Sequence, residues 1–297
     1  MSGKVWNGLM ETHFDAVVHA FAPDIIVFDG TFVYRGVTSV ARRESIPLIW
    51  LQRGCWKESV DLQSRQRHDA HRVCDGVLIP GDYGVDEKVV VSDEFEPYYV
   101  NPIVMVDHND LLEKEAARKA LSLPQDKKLF LVQLGAGRIN DIRHLKDFVT
   151  HCVRNLGEEW APVFVRNPLS ADESRSSDLA VSAFPLGRYL RAFDAATVAA
   201  GYNSVQESVV AGLPTLFIPN LSTKTDDQKR RALGTRDRML GLCASTESEI
   251  EREIWRLSNQ QLRDEIRRRC FEAQIENGAN EAARILDSLV VNPKGRA

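Results

Sequence analysis

The stretch DAATVAAGYNSVQESVVAGLPTLFIPN, residues 194–220, decides the fold of this chain. It begins with a run of small residues suited to a buried strand, and Gly201 ends that run. The segment SVQESVVAG then has the pattern of a short helix that Gly212 closes, with Pro214 just beyond it. TLFIP predicts a second buried strand. Parallel α/β proteins use such a strand, glycine turn and helix to present backbone N–H groups and the positive helix end to a phosphate. We therefore expect a bound diphosphate at this turn.

Ser204 and Glu207 leave a second interpretation of this helix start open. A serine followed three residues later by a glutamate is the pattern of a capping box, in which the glutamate accepts a hydrogen bond from a backbone N–H at the helix start. In that case Glu207 would only stabilise its own helix. The sequence alone does not distinguish a capping carboxylate from one that binds a ligand.

Composition narrows the class of protein. At 297 residues the chain is long enough for about two domains, and its 43% hydrophobic and 27% charged residues are ordinary for a globular protein. The formal net charge of -4 argues against a nucleic acid as the main partner. No apolar run approaches the ~20 residues that span a bilayer, and the amino terminus lacks the apolar core of a secretory signal, so we expect a cytoplasmic protein. Five cysteines without a C-x-x-C pair predict reduced packing residues.

The first half of the chain predicts parallel βαβ units. A helix over residues 5–21 precedes three strands, PDIIVFDG, IPLIWLQRG and DGVLIPG, which alternate with helices. One of those helices is expected in the polar segment 60–74, and a last extended segment ends near Pro102. Asp29 lies at the carboxyl end of the first strand, the edge where open α/β sheets place their ligands.

The second half restarts the alternating plan after a connecting helix, LLEKEAARKALSL. A strand, LFLVQLGAG, precedes an amphipathic helix that Gly157 can close, and two more strands and a short helix lead to residues 194–220. From Thr246 the chain is charged and helical to about Val291, with a break at Asn277 and Gly278. We expect an N-terminal domain of residues 1–106 and a C-terminal domain of residues 107–297 that includes these last helices, one of which crosses back to brace the first domain.

Four segments in this order resemble the GT-B nucleotide-sugar glycosyltransferases, close to the MurG-type and UDP-glycosyltransferase branches. They are EAARKALSLPQDKKLFLVQLGAG, AFPLGRYLRAFD, AGYNSVQESVVAGLPTLFIPN and the DDQ that follows. The resemblance covers nearly all of residues 22–290. It implies an α/β fold of two Rossmann-like domains facing a cleft. Because the family's first glycine-rich loop has no counterpart here, it also implies an N-terminal domain that is shortened and incomplete.

The resemblance also implies a donor site in the second domain. The backbone around Phe184 and Leu186 would hold the base edge, Gly201 to Ser204 the diphosphate, and Glu207 the two ribose hydroxyls. Asp227 and Gln228 would bind hydroxyls of the donor sugar, or else lie in a solvated loop. The expected donor-binding residues are Gly135, Gly137, Phe184, Leu186, Gly201, Tyr202, Asn203, Ser204, Glu207, Asp227 and Gln228.

The first domain should carry the catalytic base and the acceptor side. Asp29 matches the aspartate that supports the family's catalytic histidine and could act directly, although an aspartate before a glycine is also a common turn residue. Arg53 and Trp56 follow a strand that borders the acceptor site in the family, and plain loop structure is the alternative. The basic run Lys229 to Arg238 could touch anionic lipid or phosphate, and a solvated helical face is the preferred interpretation.

These observations predict a hexosyltransferase that moves a sugar from a UDP-sugar, or a related nucleotide sugar, to a hydroxyl acceptor. The acceptor would be a saccharide, a lipid-linked or a small-molecule hydroxyl. No D-x-D lies at a strand end and no ligand cluster is evident, so we expect no metal and no other cofactor. Contact with the inner membrane face or with a partner subunit is conceivable. The alternatives are an epimerase or hydrolase of the same fold, and a non-catalytic donor-binding subunit that needs a partner chain.

Overall fold

Two parallel β-sheets form the framework of the computed structural model of this chain, which describes residues 3–85, 96–135, 143–166 and 179–291. The chain divides into two units. The first contains Met1–Gly81, Asp86–Ile103 and Glu276–Ala297, and the second contains Asp82–Val85 and Val104–Ile275. The break between Ile103 and Val104 lies close to the expected boundary at 106/107. The structure places the C-terminal segment in the first unit, which corrects the expected domain bounds and agrees with the expectation that a C-terminal helix braces the first domain.

Apart from segment 60–74 and the short strand Leu242–Cys243, which the sequence did not predict, the helices and strands follow one another in the predicted order. The elements are α1 (Gly3–Phe21), β1 (Ile26–Asp29), α2 (Arg35–Arg43), β2 (Leu48–Leu51), α3 (Glu58–Asp61), α4 (Arg65–His68), β3 (Gly76–Pro80), β4 (Tyr98–Val100), α5 (Lys114–Ala120), β5 (Lys128–Gln133), α6 (Arg143–Arg154), β6 (Trp160–Val165), β7 (Leu179–Val181), β8 (Ala195–Ala199), α7 (Tyr202–Ala211), β9 (Thr215–Ile218), α8 (Gln228–Asp237), β10 (Leu242–Cys243), α9 (Glu247–Leu257), α10 (Gln260–Glu272) and α11 (Gly278–Val291). Short 3-10 helices cover Ala70–Arg72, His108–Asp110 and Leu186–Ala192. No helix in the described part of the chain is both long enough and apolar enough to cross a bilayer.

The first unit is built on the sheet β1-β2-β3-β4, in which all neighbours are parallel. The strands lie in sequence order, so the described part of this sheet contains no reversal of strand order. Helix α11 packs against one face, where Ala282 joins a buried cluster with Ile49, Leu78 and Val100. This apolar contact is the physical reason that the C-terminal helix belongs to the first unit.

The prediction of one helix over residues 60–74 is wrong. The structure has two helices of four residues, α3 and α4, followed by a 3-10 turn. Arg67 is buried here, donates to Gln52 at 3.0 Å, pairs with Asp61 and stacks over the ring of Trp56 at 4.4 Å. A continuous polar helix would satisfy its own backbone but would not place this guanidinium inside. The burial of Arg67, a tertiary contact, therefore overrides the local helical pattern.

The second unit is a complete doubly wound sheet. Its six strands lie in the order β10-β9-β8-β5-β6-β7, and all are parallel. Counted within the unit, this is the order 3-2-1-4-5-6 of a Rossmann sheet, which reverses between β5 and β8. Helix α7 ends at Gly212, whose φ of 65° is the left-handed conformation expected of a closing glycine. The predicted strand, turn, helix and strand are thus confirmed.

The C-terminal helices differ in detail from the expected pattern. Besides the break before Gly278, the chain breaks after Leu257, where Asn259 caps α10 by accepting a hydrogen bond from the N–H of Leu262. Helix α9 begins with a capping box formed by Thr246 and Glu249. A short polar side chain at each start provides the local signal for these boundaries.

Candidate functional site

The reversal of strand order places two glycine turns at neighbouring strand ends. Strand β5 pairs with β8 so that Gln133 lies opposite Val198, and the chain continues past these ends to Gly135 and Gly201 respectively. Open α/β sheets bind ligands outside the carboxyl ends of the strands at such a reversal. Both turns leave open space beside the glycine backbone. Apart from the glycine itself and its chain neighbours, no described heavy atom lies within 4 Å of a Cβ built on either residue. Gly137 lies outside the described residues.

Helix α7 begins directly at the second of these turns. Gly201 is its N-cap, with an extended backbone of φ −69° and ψ 159°, and it offers no side chain to cap the helix. Tyr202 is buried, Ser204 is half-buried and Asn203 is exposed. The N-terminus of a helix carries about half a positive elementary charge, and its first N–H groups lack intrahelical acceptors. The helix start can therefore receive an anion at the open side of the turn.

The structure excludes the capping-box interpretation of Glu207. Because the helix begins after Gly201, Ser204 is already a helical residue and Glu207 lies a further turn along. Within the described part of the chain, no residue forms a hydrogen bond or ion pair with the Glu207 carboxylate. The side chain is half-buried, and burial raises the pKa of its carboxyl above the ordinary value. A partly desolvated carboxylate without a protein partner is suited to bind ligand hydroxyls.

The 3-10 helix Leu186–Ala192 packs beside α7 and brings the expected base-binding residues near Glu207. A Cβ built on Gly187 would lie 3.6 Å from Cδ of Glu207, which shows how close the carboxylate is to this backbone. Leu186 is half-buried against the core of the unit, whereas Phe184 is 87% exposed. The structure therefore brings the expected base edge and the expected ribose ligand together.

Asp227 and Gln228 have structural contacts that the sequence did not predict. Asp227 is the N-cap of α8 and accepts a hydrogen bond from the N–H of Arg230 at 3.0 Å. The amide oxygen of Gln228 accepts from the N–H of Asn220 at 2.9 Å, just beyond the end of β9. Both residues thus hold the loop between β9 and α8 in place, and their role toward a donor sugar stays a prediction.

A buried ion-pair network behind the helix start was missed by sequence reasoning. The basic run Lys229 to Arg238 was expected to be a solvated helical face, but Arg231 in this run is 0% exposed. Its guanidinium pairs with Asp82 at 2.6 Å and with Asp226 at 2.8 Å. Burial opposes this charge, but the two carboxylates outweigh burial and raise the pKa of Arg231 above its usual value. The expectation of a solvated helical face is therefore wrong for Arg231.

The first unit brings Asp29 and Arg53 together. Asp29 ends β1, and its Oδ1 accepts a hydrogen bond from Nε of Arg53 at 2.8 Å. The Asp29 side chain is 45% exposed, and no bond to its Oδ2 is found among the described residues. One carboxylate oxygen is thus held by a cation, and the other is available for a proton.

Trp56 is placed differently from the expectation. It is 7% exposed and belongs to the core of the first unit, where Trp50 and Arg67 contact its ring. An acceptor-facing role for Trp56 is therefore corrected to a packing role. Phe32 is 41% exposed, and its ring centroid lies 5.4 Å from that of Trp56 in a T-shaped pair. Phe32 is therefore an exposed aromatic side chain next to Trp56.

A cavity of about 600 Å³ in the second unit lies away from the glycine turns. Asp194, which lines it, precedes β8, so the cavity is at the amino end of that strand. Asp194 is paired there with Lys114 and Arg118 at 2.6 and 2.7 Å. This cavity includes none of the expected donor-binding residues.

One group in the described chain has the composition of a metal site, namely Asp15, His19 and Glu44, whose candidate ligand atoms lie within 4.8 Å of one another. Arg43 pairs with both carboxylates of this group, which therefore forms an exposed ion-pair cluster. The five cysteines are free, as predicted, and burial raises the pKa of the Cys74 and Cys270 thiols to about 12.

Comparisons with known proteins agree with this architecture. No model of a protein family matches the sequence. The chain is 28% identical over 293 residues to a UDP-N-acetylglucosamine–N-acetylmuramyl-(pentapeptide) pyrophosphoryl-undecaprenol N-acetylglucosamine transferase of Christiangramia forsetii, with 92% of this chain and 73% of the relative covered. The crystal structure of MurG from Acinetobacter baumannii superposes with a TM-score of 0.59 over 94% of this chain and 77% of that one, at 13% identity. The chain has the fold of the GT-B glycosyltransferases and resembles their MurG-type members.

Other GT-B structures resemble this MurG-like chain as well. The kitacinnamycin glycosyltransferase has a TM-score of 0.64 at 15% identity, covering 95% of this chain and 79% of that one. The glycosyltransferase SsfS6 of Streptomyces sp. SF2575, solved with thymidine diphosphate, has a TM-score of 0.60 at 16% identity, covering 95% and 75%. These likenesses confirm the α/β fold with two parallel sheets.

Proposed function

We propose that this MurG-like protein transfers a sugar from a UDP-sugar to a hydroxyl acceptor without a metal ion. The observation that carries the proposal is the half-buried carboxylate of Glu207, which has no partner among the described residues and lies one turn behind the start of α7 at the reversal of strand order. A carboxylate at this distance from a helix end lies beside whatever the helix end holds. A nucleoside diphosphate satisfies both features, because its phosphates suit the helix start and its ribose hydroxyls suit the carboxylate.

The donor would be held by three parts of the second unit. The diphosphate would lie at the turn formed by Gly201 and the first residues of α7, where each N–H or dipole contact with an anion contributes roughly 0.3–1 kcal/mol before burial strengthens it. The base would lie against the backbone near Leu186, and the sugar would face Asp227 and Gln228. Gly135 would let the diphosphate approach the end of β5, since its backbone is open on that side.

The reaction would be a single displacement at the anomeric carbon. An oxygen of the acceptor hydroxyl forms the new C–O bond while the bond from the anomeric carbon to the diphosphate oxygen breaks. The leaving diphosphate takes that electron pair, and the hydroxyl proton passes to a carboxylate. Backbone N–H groups aimed at the developing charge stabilise the leaving group, which is the usual function of such preorganised donors.

Asp29 would accept the proton of the acceptor hydroxyl. Its Oδ2 is available, and the bond from Arg53 to Oδ1 orients the carboxylate. A positioned general base contributes typically 10²–10⁴-fold to the rate. Arg53, which is half-buried, would act on the acceptor side by orienting this carboxylate.

The comparisons suggest which donors to test first. The Christiangramia forsetii relative is named for the transfer of N-acetylglucosamine from its UDP donor, and SsfS6 was solved with thymidine diphosphate. We infer that UDP-N-acetylglucosamine is the first donor to test, with TDP-glucose as the second. The two donors differ in base, in the ribose 2′-hydroxyl and in the sugar, so the proposed role of Glu207 needs a separate test with nucleotides that differ only at the 2′-hydroxyl.

The test is a titration of the purified protein with UDP and TDP, followed by turnover assays with each donor and a panel of saccharide, lipid-linked and small-molecule hydroxyl acceptors. We expect UDP binding, acceptor-dependent UDP release and full activity in the presence of EDTA. Absence of heat with either nucleotide would refute the donor site. Free sugar and UDP formed without an acceptor would identify a hydrolase, and tight binding without turnover until a second protein is added would identify a donor-binding subunit.

A further inference from the structure

The buried guanidinium of Arg231 contacts three segments around the proposed donor site. We propose that Arg231 is a positioning residue that holds the turn before Gly201 and the loop at Asp226 in one fixed arrangement, so that a donor meets both at once. This inference rests on the proposed function and deepens it. It concerns a residue that would not touch the donor itself.

The first contact fixes the glycine turn. Nη1 of Arg231 donates to the carbonyl oxygen of Ala200 at 3.0 Å. A trans peptide is planar, with its carbonyl and the following N–H on opposite sides, so this bond aims the N–H of Gly201 away from the guanidinium. That N–H has no acceptor among the described residues. Arg231 thus orients a backbone donor toward the open side of the turn.

The second contact fixes the loop that contains the expected sugar ligands. Nη2 and Nη1 of Arg231 donate to the two carboxylate oxygens of Asp226 at 2.8 and 3.1 Å. Such a two-point pair restricts the orientation of the carboxylate as well as its distance. Asp226 directly precedes Asp227 and Gln228, so a bond that fixes Asp226 in space also restricts where the backbone places these two residues. One side chain therefore links the phosphate turn to the sugar loop.

The third contact anchors the guanidinium and includes helix α7. Nε of Arg231 donates to Oδ2 of Asp82 at 2.6 Å, while Oδ1 of Asp82 accepts from the side chain of Gln206 at 2.9 Å. Gln206 is fully buried, lies on α7 next to Glu207, and also accepts from the N–H of Tyr83. The helix that carries the proposed ribose ligand is thus held by the same network.

The arrangement is specific to an arginine. The guanidinium offers a rigid fork of five N–H donors, which here serve two carboxylates and one carbonyl oxygen. A lysine has one nitrogen and cannot span the three acceptors. Because Ala200 is buried and the Asp82 side chain is only 8% exposed, water does not replace the bonds lost there, and the segments are free to shift relative to one another when the fork is removed.

The experiment measures affinity ratios, which a purely structural role would leave unchanged. Uridine, UDP and UDP-N-acetylglucosamine are titrated into the wild type, Arg231→Met, and the control Arg263→Met. Arg263 is also buried in the second unit, at 2% exposure, but bonds the carbonyls of Leu257 and Ser258 at the α9–α10 junction. Thermal unfolding of each variant is recorded alongside.

We expect Arg231→Met to lower the ratio of UDP to uridine affinity at least tenfold, which corresponds to 1.4 kcal/mol. In Arg231→Met, uridine affinity should fall less than UDP affinity, and the Arg263→Met ratios should stay within about twofold of the wild type, even though both variants lose stability. An unchanged UDP to uridine ratio in Arg231→Met would overturn the proposal. A wild-type protein that binds UDP no better than uridine would instead refute the proposed donor site, so the two failures are distinguishable.

Two milder variants keep the test informative if Arg231→Met does not fold. Arg231→Lys should recover stability, whereas its ratio of UDP to uridine affinity should stay reduced. Complete recovery of that ratio would show that the several N–H donors of a guanidinium are not required. Asp226→Asn changes a side chain that is 30% exposed, so water can compensate for part of the lost pairing. It should lower the ratio of UDP-N-acetylglucosamine to UDP affinity, and an unchanged ratio would contradict the link to the sugar loop.

Discussion

Replacing Glu207 by alanine should abolish the preference of the protein for UDP over 2′-deoxy-UDP. The two ligands share base and phosphates and differ only in the ribose 2′-hydroxyl, which is one of the two groups that Glu207 is proposed to bind. Among the described residues, none bonds to the half-buried Glu207 carboxylate, so its oxygens are available to accept hydrogen bonds from the ribose. The substitution therefore tests a single interaction, the hydrogen bond between the ribose 2′-hydroxyl and the Glu207 carboxylate.

The expected magnitude follows from the environment of the carboxylate. A hydrogen bond to a charged group contributes about 1.5–3 kcal/mol, and partial exposure of Glu207 favours the lower end of that range. The wild type should therefore bind UDP about tenfold more tightly than 2′-deoxy-UDP. Glu207→Ala loses both ribose bonds, so its UDP affinity should fall at least tenfold, and its two affinities should become equal.

The assay is a double-mutant cycle by calorimetry, with wild type and variant against both nucleotides. The coupling between the carboxylate and the 2′-hydroxyl is the quantity of interest, because other effects of the substitution cancel in it. Glu207→Gln is the control of matched shape and should retain part of the preference. If wild type and Glu207→Ala discriminate equally between the two nucleotides, the carboxylate does not bind the ribose and the reasoning is refuted.

Three further predictions concern pH, catalysis and the glycine positions. Burial raises the pKa of Glu207 in the folded protein, so the folded state binds this proton more tightly than the unfolded chain, and stability falls as pH rises above about 4.3. In urea unfolding, Glu207→Gln should thus be more stable than the wild type at about pH 7 and equal to it at about pH 3.5, and a difference independent of pH would contradict this origin. Asp29→Asn should lower kcat roughly 100-fold or more with little change in UDP affinity, and a near-wild-type kcat would exclude Asp29 as the base. Gly201→Ala should fold with an unchanged melting temperature but bind UDP more weakly, because no protein atom lies within 4 Å of the added methyl group. Gly234→Ala should destabilise the protein by about 1–3 kcal/mol, since its Cβ would lie 1.9 Å from the carbonyl oxygen of Gly84, and equal melting temperatures for the two alanine variants would contradict this contrast.

Much of the fold could be predicted because its signals are local. The run of small residues before Gly201, the helical pattern after it and the closing Gly212 lie within a few residues of one another, and all three are found in β8 and α7. The same is true of α1, which covers nearly the predicted range. Alternating strands and helices also indicated the parallel sheets, since parallel strands need such crossovers.

The tertiary structure alone decided which residues these elements bury and join. Arg231 and Asp82 are 149 positions apart, and no pattern in either segment indicates that they meet. Trp56 follows a strand like a surface loop residue, yet the ring of Trp50 and the guanidinium of Arg67 cover it. Glu207 had two equivalent interpretations until the helix start at Gly201 removed the capping box.

The sequence by itself thus determined most of the order of elements, the two parallel sheets and the glycine turn at the carboxyl end of β8. The structure decided which strands flank the reversal, which carboxylate at the turn has no partner in the described part of the chain, and which arginine is buried behind the turn. The physical reason is one of range. Helix and strand patterns and caps depend on neighbours within a few residues, whereas burial and ion pairing depend on segments that meet only when the chain is folded.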